Sequence, residues 1–171
     1  MVDGDAEWLT RGRLVTKPEL DDLDRKILDR YQLDTRTPAQ TIGRAVGLSA
    51  AAVQRRIKRM RDAGVIVGEV ATIAPERVGY GLTCLVGVRL QREGSAENRG
   101  FKAKMLRHRR VQQCYSVTGD VDFMLVVLSR DIHDFERFAQ ATLYSDDNVR
   151  TFTTYVVLDR VKFTTATPIE P

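Results

Sequence analysis

Apolar residues in the first part of the chain recur every three to four positions, the spacing of one face of a helix. Three such segments predict helices over residues 21–33, between Thr37 and Gly47, and from Ser49 to about residue 63. Thr37, which is followed by a proline, is a typical N-cap for the second helix, and Gly47 suits the left-handed backbone at its end. Ser49 is a typical N-cap for the third helix. The inward-facing positions are Leu23, Ile27, Leu28 and Tyr31 in the first helix, Ile42, Ala45 and Val46 in the second, and Val53, Ile57 and Met60 in the third.

The pattern changes beyond residue 64. Residues 65–74 alternate in character and predict a strand and connector, and Pro75 ends this segment. Further apolar runs predict strands over 82–90, 111–117, 123–128 and 152–158, with helices over 95–108 and from Asp131 onward. The order β-α-β-β-α-β is that of the ferredoxin-like split βαβ arrangement.

These elements predict an α+β protein with two parts. The first is a winged helix-turn-helix and the second is a ferredoxin-like βαββαβ domain. We expect an N-terminal extension over 1–18, a helix-turn-helix domain over 19–64, a strand and linker over 65–80, and a ferredoxin-like domain over 81–171.

Composition narrows the class of protein. The 171 residues are 43% hydrophobic, so a packed core is expected, but no apolar run reaches the ~20 residues of a membrane span. The first 17 residues lack the apolar segment of a secretory signal, which predicts a cytoplasmic protein without a membrane partner. Two cysteines and two histidines without ligand spacing predict neither a metal site nor a cofactor.

The positive charge is concentrated in one segment. The net charge of +4 is mild, but residues 35–61 contain seven arginines and lysines and no acidic residue. A helix that enters the phosphate-walled major groove needs this kind of charge, with small residues where its backbone approaches the bases. A cationic helix face that is only solvated is the alternative explanation of the same pattern.

The third helix therefore supplies the candidate contacts to double-stranded DNA. Ser49 and Ala51 would allow close approach at its start, and Ser49 with the open N–H groups suits a phosphate. Gln54 and Arg55 would reach base edges, Gln toward adenine and Arg toward guanine. The remaining cations would contact phosphates and set the register. They are Arg56, Lys58 and Arg59.

An ordered set of motifs resembles the Lrp/AsnC family of feast/famine regulators. The similarity runs from about residue 20 to residue 167. It rests on residues 23–28 (LDRKIL), 46–49 (VGLS), 55–60 (RRIKRM), 64–68 (GVIVG), 118–123 (TGDVDF) and 154–158 (TYVVL). The resemblance implies a third helix in the major groove and C-terminal domains that pair through their sheets into homodimers, with further assembly to octamers. The extension over 1–18 and the small residues at 50–52 depart from the family pattern.

The resemblance also implies a site for a small effector, an amino acid or a related metabolite, between the C-terminal domains. Asp120 or Asp122 would accept the ammonium group, and exposed N–H groups at Gly119 would hold the carboxylate. A tight hairpin, with Asp122 capping a strand end, is the structural alternative. The family's effector region corresponds here to Ser116, Thr118, Gly119, Asp120, Asp122, Tyr144 and Tyr155.

Two classes of function fit these sequence patterns, and a third does not. The first is a sequence-specific transcription regulator whose DNA affinity or assembly responds to an effector. The second is an architectural, nucleoid-type DNA-binding protein without an effector, for which salt dependence would be strong and specificity shallow. An enzyme is not expected, because the sequence offers no nucleophile–base pair, metal cluster or phosphate loop.

Overall fold

The computed structural model describes residues 19–91 and 95–170, with the side chains of 95–97 left aside. The expected extension over 1–18 lies outside these residues. The described chain forms two compact units, one from 19–71 together with 162–170 and the other from 72–161. None of the described helices is long and apolar enough to cross a membrane.

Three helices build the first unit: α1 Asp22–Tyr31, α2 Ala39–Val46 and α3 Ala50–Asp62. The predicted helices are confirmed, and Ser49 caps α3 as expected, with its Oγ accepting from Ala52 N at 3.2 Å. The cap of α2 differs from the prediction, because Pro38 rather than Thr37 occupies the N-cap position. The buried core comprises Ile27, Leu28, Tyr31, Ile42, Val53, Ile57 and Met60.

Two glycines shape the turn between α2 and α3. Gly47 has a φ of +75°, a left-handed conformation that side chains with a Cβ rarely adopt. Gly43 is buried where the turn folds back, and its carbonyl accepts a hydrogen bond from Leu48 N at 2.9 Å. A Cβ on Gly43 would lie 2.4 Å from the Leu48 carbonyl oxygen. The close approach of these two backbones therefore requires glycine.

The predicted strand over 65–74, which would form the wing, is absent from the described secondary structure of this segment. Val65 and Ile66 instead donate to the carbonyl of Met60 at 2.9 and 3.2 Å and pack on the helical core. A strand needs a partner for its ladder, and all the strands of the described chain belong to one four-stranded sheet elsewhere.

The end of the described chain packs on the helices of the first unit. The Gln32 side chain donates to Thr167 O at 3.0 Å and accepts from Thr167 N at 2.9 Å, and Ile169 packs against the helical core. The predicted boundary at residue 81 grouped this segment with the second unit. Its apolar contact with the helices is the reason that it belongs with the first.

The second unit contains β1 Leu82–Leu90, α4 Ser95–Arg107, β2 Val111–Ser116, β3 Phe123–Ser129, α5 Ile132–Ala139 and β4 Val149–Val156, with a single turn of wider helix, Gln140–Tyr144, after α5. The strand order is β2-β3-β1-β4 and all the pairs are antiparallel, which confirms the predicted ferredoxin-like arrangement. Helices cover one face of the sheet. The other face carries apolar side chains that remain partly exposed, among them Leu85, Tyr115 and Tyr155.

Candidate functional site

The third helix buries one side and leaves the other free. Val53, Ile57 and Met60 are at most 6% exposed and hold α3 against the other helices. These three positions, at i, i+4 and i+7, share one face of the helix. Ala51, Gln54 and the cationic residues lie outside this buried face. The structure therefore gives α3 one anchored side and one accessible, positively charged side.

The exposed side of α3 offers two side chains without competing partners. Gln54 and Arg55 are exposed, and in the described part of the chain neither forms a hydrogen bond or an ion pair. Lys58 is also exposed, but its Nζ lies 2.7 Å from Asp62 Oδ2, four residues along the same helix. Such a surface pair is weak, at about 0.3–0.5 kcal/mol, so Lys58 can exchange Asp62 for another anion.

Arg56 and Arg59 are held by acidic residues at the start of α1. Arg56 Nη1 donates to Asp21 Oδ2 at 2.7 Å and to Asp24 Oδ1 at 2.8 Å, and Arg59 Nη2 donates to Asp24 Oδ2. The sequence interpretation assigned both arginines to phosphates and missed these partners. The acidic residues that precede the basic segment were the available signal, but sequence spacing does not show which charges meet.

Electrostatics support this pairing. The hydrogen bond from Arg56 is the largest cause that lowers the pKa of the Asp21 carboxyl below its ordinary value of 3.8. The same contact raises the pKa of Arg56, and the bond to Asp24 adds to it. Both groups therefore stay charged and paired at neutral pH.

A recess of about 330 Å³ lies beside these residues on α3. Leu48 and Ala52 give it apolar surface, and the three arginines line the remainder: Arg55, Arg56 and Arg59. Of these three guanidinium groups, only that of Arg55 is left for the edge of a nucleic-acid backbone, because Arg56 and Arg59 are already paired with carboxylates among the described residues.

The second candidate site is the loop between β2 and β3. Val117 N donates to Asp122 O at 3.0 Å and closes the loop, and Asp122 N donates to Val88 O at 2.9 Å. Gly119 has a φ of +130°, which only glycine adopts without strain. Arg89 Nε donates to the carbonyl of Asp120 at 2.9 Å and braces the turn against β1. Sequence reasoning missed Arg89, because it precedes the loop by 31 residues.

Asp120 and Asp122 have different surroundings in this loop. The Asp122 carboxylate accepts from Leu90 N at 2.6 Å, so it completes the end of β1, as the structural alternative expects. The Asp120 carboxylate is exposed and has no hydrogen-bond or ion-pair partner among the described residues. Ser116 and Thr118 are also exposed beside it. The loop therefore presents one uncommitted carboxylate.

The two predicted tyrosines lie on opposite faces of the sheet, so one chain does not gather both of them at this loop. Tyr144 follows α5 and packs edge-on against Phe152, with ring centroids 4.9 Å apart, on the helical side of the sheet. Tyr155 lies opposite Leu85 on the open side. The loop joins β1 three to five residues beyond Leu85, roughly 10–17 Å away at the rise of a strand.

Other chemistry is sparse in the described residues. They contain no group of three or more histidine, cysteine or acidic side chains placed to hold a metal ion. Cys84 is buried and Cys114 partly buried, and burial raises the pKa of both thiols, which keeps them protonated at neutral pH.

Two family models match the chain. The model described as the AsnC-type helix-turn-helix domain matches residues 20–61, which include α1, α2 and most of α3. The model described as the Lrp/AsnC ligand binding domain matches residues 83–167, which include all but the first residue of the sheet and the β2–β3 loop.

Individual relatives agree with these models. An uncharacterized HTH-type transcriptional regulator from Sinorhizobium fredii is 40% identical over 152 residues, which cover 89% of this chain and 90% of the relative. A transcriptional regulator from Neisseria meningitidis, solved as a complex with L-methionine, has a TM-score of 0.82 at 31% identity and covers 88% of this chain and 97% of its own. A feast or famine regulatory protein from Mycobacterium tuberculosis, also complexed with L-methionine, has a TM-score of 0.78 at 27% identity, with 89% and 100% covered.

Proposed function

Because the chain belongs to the Lrp/AsnC family of transcriptional regulators, we propose that it binds specific duplex DNA through α3 and that a small effector, an amino acid, changes its DNA affinity or assembly. Ser49, Ala51, Gln54 and Arg55 form the surface that approaches the bases. Lys58 adds an exchangeable charge for a phosphate.

The free side of α3 supports the DNA-binding half of the proposal. The major groove of B-DNA admits one helix, and an arginine can donate two hydrogen bonds to guanine while a glutamine pairs with adenine. Gln54 and Arg55 are the side chains available for this, since they are exposed and uncommitted. Anchoring by the buried stripe keeps α3 rigid during the contact.

The uncommitted carboxylate of Asp120 is the single observation that carries the effector half. A free amino acid presents an ammonium group, which a carboxylate binds by charge-assisted hydrogen bonds. The N–H groups of Gly119 and Asp120 make no hydrogen bond within the described chain and suit the ligand's carboxylate. The ligand-binding family model and the methionine complexes of two relatives support an amino acid as the ligand class.

A second copy of the chain is the proposed protein partner. Leu85, Tyr115 and Tyr155 are 37%, 53% and 58% exposed on the open face of the sheet. Apolar side chains grouped on one sheet face favour pairing with a like surface. Pairing through this face would also let Tyr155 of one subunit approach a site that is shared between subunits. Further assembly to octamers rests on the family resemblance.

Duplex affinity measured with and without each of the twenty amino acids, at fixed salt, tests the effector proposal. The duplex is first selected by the wild-type chain from a random pool. At least one amino acid should change the affinity and raise the melting temperature, because a ligand that binds the folded state stabilises it. Asp120→Asn should remove this response, whereas Asp147→Asn, an exposed control carboxylate before β4, should retain it.

Two outcomes contradict the proposal in different ways. If no amino acid alters either measurement, the effector half fails and an architectural role is favoured. If an amino acid acts equally on the wild type and the Asp120 variant, then Asp120 does not belong to the site.

A further inference from the structure

Four charged side chains connect the start of α1 to α3, and we call them the carboxylate clamp: Asp21, Asp24, Arg56 and Arg59. Arg56 bridges both carboxylates at 2.7 and 2.8 Å, and Arg59 shares Asp24. Asp21 and Asp24 also cap α1 reciprocally, with Asp24 N donating to Asp21 Oδ1 at 2.8 Å. Backbone N–H groups at the start of α1 therefore hold both carboxylates of the clamp in place.

Burial separates Asp24 and Arg56 from ordinary surface ion pairs, whereas the side chains of Asp21 and Arg59 are 52% and 57% exposed. The Asp24 side chain is 0% exposed, and the Arg56 side chain is 24% exposed. A buried carboxylate without cationic partners would be strongly unfavourable, so Asp24 requires these arginines. The Lys58–Asp62 pair, with side chains 75% and 63% exposed, carries no such requirement.

The clamp divides the cations of α3 by availability. Arg61 is also engaged, with Glu69 at 2.6 Å and with the Tyr31 hydroxyl at 2.7 Å. Within the described chain, Arg55 alone among the α3 cations has no ion-pair partner. A phosphate that recruited Arg56 would have to displace two carboxylates, one of them buried. The charge that α3 offers to DNA is therefore smaller than its sequence indicates.

We propose that Asp24 is a positioning residue for DNA recognition, which holds Arg56 and Arg59 against α1 and withholds their charge from DNA phosphates. This inference rests on the proposed DNA-binding function. By limiting sequence-independent phosphate contacts, Asp24 lowers non-specific affinity and leaves discrimination to Arg55 and Gln54. An acidic residue thereby sharpens the specificity of a basic helix.

The salt dependence of binding to a random-sequence duplex tests the proposal. Asp24→Asn should release Arg59, whose only carboxylate partner in the described chain is Asp24. One additional phosphate contact steepens the slope of log affinity against log salt by about 0.9 and raises the affinity at low salt. Adding Arg59→Met to Asp24→Asn should return the slope to the wild-type value. The ratio of affinities for the selected and random duplexes should fall in Asp24→Asn.

Asp22→Asn is the matched control, because Asp22 is an exposed carboxylate in the first turn of the same helix and lies outside the clamp. The proposal is overturned if Asp24→Asn leaves the slope unchanged, or if Asp22→Asn steepens it equally, since only general charge removal would then be at work. Failure of the wild type to bind any duplex would instead contradict the proposed function.

Chemical modification of the wild-type chain gives a second measurement if Asp24→Asn does not fold. An arginine-selective dicarbonyl reagent, followed by mass spectrometry, should modify Arg55 in the free protein, and random duplex should protect it. Arg56 should stay unmodified with and without DNA. Ready modification of Arg56 in the free protein, with protection by DNA, would refute the clamp.

Discussion

Gly43→Ala should destabilise the helical unit although alanine is the better helix former. In an exposed helix interior this substitution stabilises by about 1 kcal/mol. Here the new Cβ would lie 2.4 Å from the Leu48 carbonyl oxygen, a backbone atom that cannot rotate away. Overpacking of this kind costs about 1–3 kcal/mol, and such a close contact favours the upper end. The net loss should be about 1–2 kcal/mol.

The expected effect on function follows from the same contact. Relief of the clash must move the start of α3 away from α2, so DNA affinity should fall together with stability. Urea unfolding of the full chain, followed by circular dichroism, gives the stability. Hydrogen exchange of peptides within 39–62 locates the loss.

Gly100→Ala is the matched control for this prediction. Gly100 lies in α4, and a Cβ there would meet nothing within 4 Å. That substitution should leave the second unit equally stable or more stable by up to about 1 kcal/mol. If Gly43→Ala is no more destabilising than Gly100→Ala, the close approach of α2 to the following turn does not require glycine.

Two further predictions concern stability. A hydrogen bond from Arg130 N, together with Arg137, lowers the pKa of the Asp134 carboxyl below its ordinary value of 3.8. The ionised carboxylate therefore stabilises the fold above pH 3.8, and this stabilisation is lost as the pH falls through the lower pKa of the folded state. The urea midpoint of the second unit should therefore depend less on pH in Asp134→Asn below about pH 5, and an unaltered acid profile would contradict this. Ile169→Ala should lower the stability of the helical unit by about 1–2 kcal/mol, because Ile169 is only partly buried on that core. Unchanged hydrogen exchange in α1 would show that the end of the described chain does not stabilise the helices.

Local sequence patterns were sufficient for the elements that position the DNA-binding surface. The stripe of Val53, Ile57 and Met60 identified both the helix and its buried side, because helical periodicity is a property of neighbouring residues. The strand order also followed from element order, since few topologies connect β-α-β-β-α-β without crossing.

Contacts between distant residues were not predictable in the same way. The predicted strand over 65–74 failed because alternation alone does not supply a pairing strand. The pairing of Arg56 with Asp24 spans 32 residues, and no local spacing indicates it. The return of Ile169 to the helical core is equally non-local. For Tyr144 and Tyr155, the resemblance supplied residue types but not their separation within one chain.

We expect Arg55, the unpaired cation of α3 in the described chain, to be the one that discriminates between DNA sequences. The most direct test compares Arg55→Ala with Arg150→Ala, which removes an equally charged, exposed residue of β4. Both variants are titrated against the selected duplex and a random duplex at one salt concentration. Arg55→Ala should lose about 1–3 kcal/mol, roughly 5- to 160-fold, on the selected duplex and far less on the random one, with Arg150→Ala unchanged. An equal loss on both duplexes, or no loss on either, would contradict the claim.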